Sequence, residues 1–279
     1  MGIAEIFWLF LIITTLQPVL HQRLLNAMRA RKIAEIEKQR GSRVILLVHR
    51  QETMRLLGFP LVRYIDVNDS EEVLRAIHLT DPEMPLDIVL HTPGGLVLAA
   101  LQIARAIEDH KGKVTVFIPH YAMSGGTLIA LAADEIVMCK HSVLGPIDPQ
   151  IGGLSAVNLL KIIEDKPISQ IDDHTIAQAH VARRALAQIR AEAKHFLSDQ
   201  MPEEKAAQAA ELLSSGAWTH DYPISANEAR ELGLRISTDM PKTVLELMTL
   251  FPQPVRAAGG VEYLPGPRGR ETRPKDAGA

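Results

Sequence analysis

Two stretches, Leu86-Asp-Ile-Val-Leu-His-Thr-Pro-Gly-Gly95 and Lys113-Val-Thr-Val-Phe-Ile-Pro-His-Tyr-Ala-Met-Ser-Gly-Gly126, decide how this chain folds. Each opens with a short aliphatic run of strand length and closes on a glycine pair. Each is then followed by a helical pattern, the first running to about Asp109 and the second built of small residues after Ser124. Outward from this pair the rhythm repeats. Val44–Val48 and Glu135–Cys139 read as further strands, and Asp69-Ser-Glu-Glu72 opens a helix through Leu79, its acidic residues suited to a positive helix start. Strands that alternate with helices predict an α/β fold, with a mostly parallel sheet covered by helices.

In an open parallel sheet, ligands bind beyond the carboxyl ends of the strands, where both glycine pairs fall. Ser124 puts a hydroxyl at a strand-to-helix turn, with glycines that let a substrate backbone come close. The amides at the helix start remain free to stabilise an anion. Acyl transfer needs these parts together: a nucleophile, and donors aimed at the oxygen that gains charge. One such donor is worth roughly 3–4 kcal/mol of transition-state stabilisation. The candidate donors are the backbone N–H groups of Gly95 and Gly125.

Composition narrows the class. The 279 residues carry a formal net charge of −3 with no strongly basic domain, which argues against nucleic acid as the main partner. Cys139 is the single cysteine, so an intramolecular disulfide and a Cys-rich metal cluster are both excluded. His174 and His180 are too far apart for an i, i+4 metal pair, and Gly152-Gly153 follows no strand in dinucleotide-binding order. No cofactor is expected, and without a nucleotide motif any activity should be ATP-independent.

Ile3 to Leu20 is almost wholly apolar, close to the roughly 20 residues that cross a bilayer. Lys and Arg follow this run and none precedes it, so the positive-inside rule places the rest of the chain in the cytoplasm. The expected organisation is a transmembrane anchor over 1–22, a basic amphipathic linker over 23–43, a catalytic domain over 44–250 and a disordered tail over 251–279. The linker could also rest against anionic headgroups of the lipid bilayer. Late in the domain, long helices are expected around Thr175–Phe196 and Glu203–Leu213. Another starts at Ser225, capped with Glu228, and Gly233 ends it.

Three segments together resemble a known group: His91-Thr-Pro-Gly-Gly95, Ser124-Gly-Gly-Thr-Leu-Ile-Ala-Leu-Ala-Ala-Asp-Glu-Ile136 and Leu144-Gly-Pro-Ile-Asp-Pro-Gln150. They look like the ClpP/crotonase superfamily, and within it the serine dehydrogenase proteinase family, which is similar to signal peptide peptidase A and the NfeD-type membrane proteases. Trp218–Ile224 and Glu228–Leu234 fit that family as well, so the resemblance spans about residues 44 to 240. It implies a ClpP/crotonase-like spiral of ββα units, a Ser124 nucleophile, an oxyanion hole at the glycine motifs and a homo-oligomer.

For the general base, the resemblance to signal peptide peptidase A implies a Ser–Lys dyad. Lys166 is its best positional match, with Lys161 one turn earlier as substitute. A lysine base must be neutral, which asks for a fall from about 10.4 to about 7–8. ClpP itself implies a Ser–His–Asp triad instead, with His141 as base and Asp148 as orienter, or with the adjacent ionisable pair His220-Asp221. His91 beside the oxyanion glycines is read as shaping the pocket.

The expected function is therefore a membrane-anchored, ATP-independent serine endopeptidase acting on polypeptide through a Ser124 acyl-enzyme. Two alternatives stay open. One is a crotonase-like acyl-CoA hydrolase or isomerase; the other is a non-catalytic oligomeric scaffold for a membrane partner such as a stomatin-like protein.

Overall fold

The computed structural model describes residues 2–49, 54–56, 59–61 and 63–251, without the side chains at 3–7, 9–15, 18, 54–56 and 59–61. It opens with one continuous helix, α1 (Ile3–Arg40), closed by Gly41 at φ 63. A glycine in that left-handed conformation donates its N–H back to the carbonyl of Glu37 at 2.8 Å, which satisfies one of the last-turn acceptors. Among the described residues, no helix is long and apolar enough to cross a membrane. The apolar run expected to do so has most of its side chains outside the described set, and so does the tail from Pro252 onward.

Strand β1 (Arg43–Val48) follows, then a small antiparallel hairpin of β2 (Met54–Leu56) and β3 (Phe59–Leu61). Helix α2 (Val67–His78) starts two residues before the acidic cluster suggests, because Asp66 and Asp69 form a reciprocal capping box. Then come β4 (Leu86–His91), α3 (Val97–Glu108), β5 (Val114–Ile118), β6 (Tyr121–Ala122), α4 (Gly125–Leu131), β7 (Glu135–Met138) and β8 (Val143–Leu144). A second hairpin, β9 (Gln150–Ile151) with β10 (Leu154–Ser155), leads into α5 (Ala156–Asp165). The chain continues through α6 (Asp173–Ser198), α7 (Glu203–Ser214), β11 (Ile224–Ser225), α8 (Ala226–Glu231), β12 (Ile236–Ser237) and α9 (Lys242–Thr249).

The main sheet has the order β1-β4-β5-β7-β12, and every pair in it is parallel. Each crossover therefore moves one strand further in the same direction. Right-handed crossovers of that kind leave their helices on one face. Beyond the strand ends a second, three-stranded sheet forms from β11-β8-β6, with Thr92 bridging to Ala122 beside it. Strand and short strand alternate with helix, which gives the mixed α/β architecture that the two glycine segments announce.

Period-two alternation divides the core into two layers. Ile45, Leu47, Ile88, Leu90, Val116 and Ile136 pack beneath α2, α3 and α4. Val44, Val89, Phe117 and Val137 point the other way and are covered by Ile36 of α1 and by Val244, Leu247 and Met248 of α9. The basic segment before β1 is thus part of the fold. Arg40 donates from Nη2 to Asp87 Oδ1 at 3.1 Å, and Ser42 Oγ reaches Asp87 Oδ2 at 2.6 Å. Lys32 bridges Glu35 and Glu246, and those two carboxylates raise its pKa above the ordinary 10.5.

Candidate active site

Ser124 sits between β6 and α4 with φ 52 and ψ −115, and among the described residues it is the one non-glycine with a positive φ. That conformation is costly for a residue with a side chain and persists only where the surroundings enforce it. The enforcement is visible in the glycines. A Cβ added to Gly94 would lie 2.8 Å from both Met123 O and Ser124 Cβ, and one added to Gly126 would meet Thr92 Cγ2 at 2.6 Å. The two glycine loops interlock too closely for any side chain. Thr127, fully buried, holds the turn from behind: its Oγ1 bonds the carbonyls of Ala122 and Gly145 at 2.9 and 2.8 Å.

The donor at Gly95 is aimed by its neighbours. Gly94 O accepts the Ile65 N–H at 2.7 Å, and Leu96 N–H donates to Ile65 O at 2.8 Å. In a trans peptide the C=O and the next N–H point in opposite directions. Fixing Gly94 O on Ile65 therefore turns the Gly95 N–H away from Ile65, and Gly95 lines the cleft that Ser124 also lines. Gly125 works by the same rule. The Ser124 carbonyl accepts from Leu128 at 3.2 Å inside the first turn of α4, so the Gly125 N–H points out of that turn.

This cleft holds about 210 Å³ and is also lined by Asp148, Gln150 and His220. His220 Nδ1 lies 2.7 Å from Asp148 Oδ1, with Asp148 buried and the imidazole about one-third exposed. Gln150 Nε2 donates to the other Asp148 oxygen at 2.8 Å. A carboxylate so placed fixes the histidine tautomer, accepting the Nδ1 proton and leaving Nε2 as the basic nitrogen. The segment carrying His220 is pinned in turn. Trp218 and Tyr222 stack at 5.2 Å, and the Tyr222 hydroxyl donates to Glu228 Oε1 at 2.6 Å. Hydrogen bonds from Ser225 and Tyr222 hold the Glu228 carboxyl below its ordinary value, and the same carboxylate raises the Tyr222 phenol.

The other sequence candidates fall elsewhere. Lys166 is exposed and caps the end of α5 in extended geometry, as the following Pro167 requires, and it is not among the cleft residues. Lys161 and His141 are also exposed and outside the cleft. Asp148 meets His220, not the nearer His141. His91 is fully buried against Tyr121, with ring centroids 4.3 Å apart. Cys139 is partly buried, and desolvation pushes its thiol above the ordinary 9.0. No group of His, Cys, Asp and Glu fit to hold a metal occurs among the described residues. Gln150, Thr92 and Thr127 stand inside the motifs quoted above but received no role there, since a polar side chain carries no signal of its own until its partners are known.

A strained seryl turn that lines a small cleft together with Gly95 and Gly125 fits the class of serine hydrolases. The comparisons then give the family. A family model described as ClpP-like SDH-type serine proteinase matches residues 1–278, and the chain belongs to that family. It is a serine-type peptidase. Two uncharacterised proteins of Methanocaldococcus jannaschii are similar over nearly their whole length. One is 46% identical over 271 residues, covering 97% of this chain and 92% of the relative. The other is 44% identical over 270 residues, covering 97% and 94%. Among solved structures, the 1510-N membrane-bound stomatin-specific protease matches at 21% identity and TM-score 0.46, covering 67% of this chain and 79% of that one.

Proposed function

We propose that this chain is an ATP-independent endopeptidase that cleaves polypeptide through an acyl-enzyme on Ser124, with His220 as general base and Asp148 as its orienter. The observation that carries the reading is the 2.7 Å contact between His220 Nδ1 and Asp148 Oδ1 in the cleft lined by Ser124, Gly95 and Gly125. Ser124 Oγ attacks the scissile carbonyl while its proton passes to His220 Nε2. The new oxyanion takes hydrogen bonds from the Gly95 and Gly125 amides. When the C–N bond breaks, His220 returns the proton to the leaving amine. Water then gives a proton to His220, attacks the acyl carbon and releases the carboxylic product, and Ser124 recovers its proton.

This assigns the base differently from the Ser–Lys expectation, because Lys166 is exposed and does not line the cleft, whereas His220 does. Three variants of the full chain decide between them, assayed on unfolded casein and with a fluorophosphonate probe. Ser124→Ala and His220→Ala are expected to lose hydrolysis, and Lys166→Ala to keep it within about threefold. Loss in Lys166→Ala with retention in His220→Ala would restore the lysine dyad, acting within or between subunits. The family assignment favours peptide over acyl-CoA as substrate, and labelled Ser124 would also set aside a non-catalytic scaffold.

Membrane attachment through Ile3–Leu20, with the catalytic domain on the cytoplasmic side, is part of the same proposal and rests on the sequence alone. A homo-oligomer and a stomatin-like membrane partner belong to it on the strength of the sequence resemblance. Cell fractionation of the full chain against one lacking residues 1–22 tests the attachment. Equal partitioning of the two would remove it.

A further inference from the structure

His49 lies at the end of β1, almost wholly buried, with both ring nitrogens engaged. Nε2 is 3.2 Å from Asp69 Oδ2, and Nδ1 is 3.0 Å from Thr92 Oγ1. Such a histidine is often no more than a satisfied core residue. Here the chain of contacts goes one step further, since Thr92 Oγ1 also accepts the Gly94 N–H at 3.2 Å. Gly94 carries the carbonyl whose bond to Ile65 aims the Gly95 amide. The donors and acceptors are mutually consistent. The Asp69 carboxylate accepts the Nε2–H hydrogen bond, so Nδ1 accepts from the Thr92 hydroxyl at 3.0 Å, a shorter contact than the 3.4 Å from that hydroxyl to Gly94 O, and the hydroxyl oxygen accepts from the Gly94 N–H.

We infer that Asp69, His49 and Thr92 form a clamp that holds the Gly94–Gly95 peptide in the orientation acyl transfer needs, with His49 as a positioning residue of the oxyanion loop. The inference rests on the Ser124 reading above. None of the three side chains lines the cleft. Their effect falls on the direction of one amide, which counts only once charge develops on the substrate oxygen. The clamp also joins three elements far apart in sequence, β1, the start of α2 and the end of β4. Gly94 is held at φ 102, and a glycine, which has wide freedom in an unfolded loop, needs such a tether to stay there.

The test is a kinetic split combined with hydrogen exchange on the full-length chain. Thr92→Val removes the hydroxyl with little change of shape, while Thr92→Ser keeps it. Thr92→Val and His49→Ala should lower kcat on casein-derived peptides by roughly 10- to 100-fold with KM changed less than about threefold, as for a slightly misplaced donor. Thr92→Ser should restore most of kcat. The double variant should lose far less than the product of the two single losses, because both break one network. In His49→Ala, amide exchange in the peptide spanning Gly94–Leu96 should quicken at least about tenfold. Wild-type kcat in Thr92→Val, or unchanged exchange in that peptide, overturns the clamp. If Ser124→Ala still hydrolysed the substrate, the catalytic reading would fall instead, and the exchange measurement alone would decide whether the clamp exists.

Discussion

His220 and Asp148 stand 72 residues apart in the chain, yet His220 Nδ1 lies 2.7 Å from Asp148 Oδ1 in the cleft that Ser124 lines. Neither lies on a main-sheet strand. Asp148 follows β8, where the Ile147 amide is tied to Leu213 O of α7 at 2.8 Å, and His220 lies in the loop between α7 and β11. The end of α7 therefore brings the two loops together.

Asp148→Asn tests this pair without altering shape. An amide can donate to Nδ1 and so favours the wrong tautomer, and kcat should fall on the order of 10³–10⁴-fold. Gln150→Ala, which frees one Asp148 oxygen, should cost much less, around tenfold. Steady-state kinetics on a fluorogenic peptide gives both numbers. An Asp148→Asn enzyme within tenfold of wild type would remove Asp148 from the mechanism.

Ser124 bears backbone strain that glycine would not, on the order of 1–3 kcal/mol. Ser124→Gly should therefore melt above Ser124→Ala, by roughly 2–4 °C for each kcal/mol recovered after glycine's own entropic cost. Both variants should be inactive. Differential scanning calorimetry makes the comparison, and equal melting temperatures would mean that the turn is not strained.

Gly95 has no room for a methyl group. A Cβ there would fall 2.2–2.7 Å from the backbone of Ile65, so Gly95→Ala must push the loop away from Ile65 and swing the amide. The expected loss is at least 10²-fold in kcat, comparable to deleting an oxyanion donor. Fluorophosphonate labelling of Ser124 should slow in parallel. Labelling at the wild-type rate would exclude Gly95 as a donor.

Glu228 ties the His220 segment to acid stability. Its folded pKa lies below the ordinary 4.5, chiefly through the Ser225 hydroxyl and then Tyr222. The contribution is therefore complete above the unfolded value and disappears as pH falls through the lower folded value. Urea midpoints measured between pH 6 and pH 3 should decline more steeply in wild type than in Glu228→Gln. Parallel curves for the two proteins would show that this carboxylate plays no part.

Arg40→Ala should destabilise the whole chain. It leaves Asp87, buried beneath α1, with Ser42 as its remaining charge-stabilising partner, and breaking a buried pair from one side costs about 3 kcal/mol or more. Replacing both members with apolar residues should recover most of the loss. Urea denaturation of the single and double variants checks this, and a neutral Arg40→Ala would show that the ion pair to Asp87 does not brace the sheet.

Much of this protein was legible before folding, because its signals are local. Buried strands announce themselves by apolar runs, the Ser225–Glu228 capping box by spacing, and the seryl turn by glycines that only a close approach of backbones requires. The pairing of His220 with Asp148 was not legible in that way. Which carboxylate stands beside an imidazole is set by how α7 and the segment after β8 pack. The same holds for His49, an unremarkable residue until α2 brings Asp69 to one ring nitrogen and β4 brings Thr92 to the other. The covering of the sheet's second face by α1 and α9 was hidden likewise, since a basic amphipathic helix reads alike in solvent and on a sheet. Sequence alone determined which backbone shapes this chain can adopt, for those follow from short-range sterics and hydrogen bonding. Tertiary packing decided which polar side chains meet, because a contact between distant residues exists only once the intervening elements have closed upon one another.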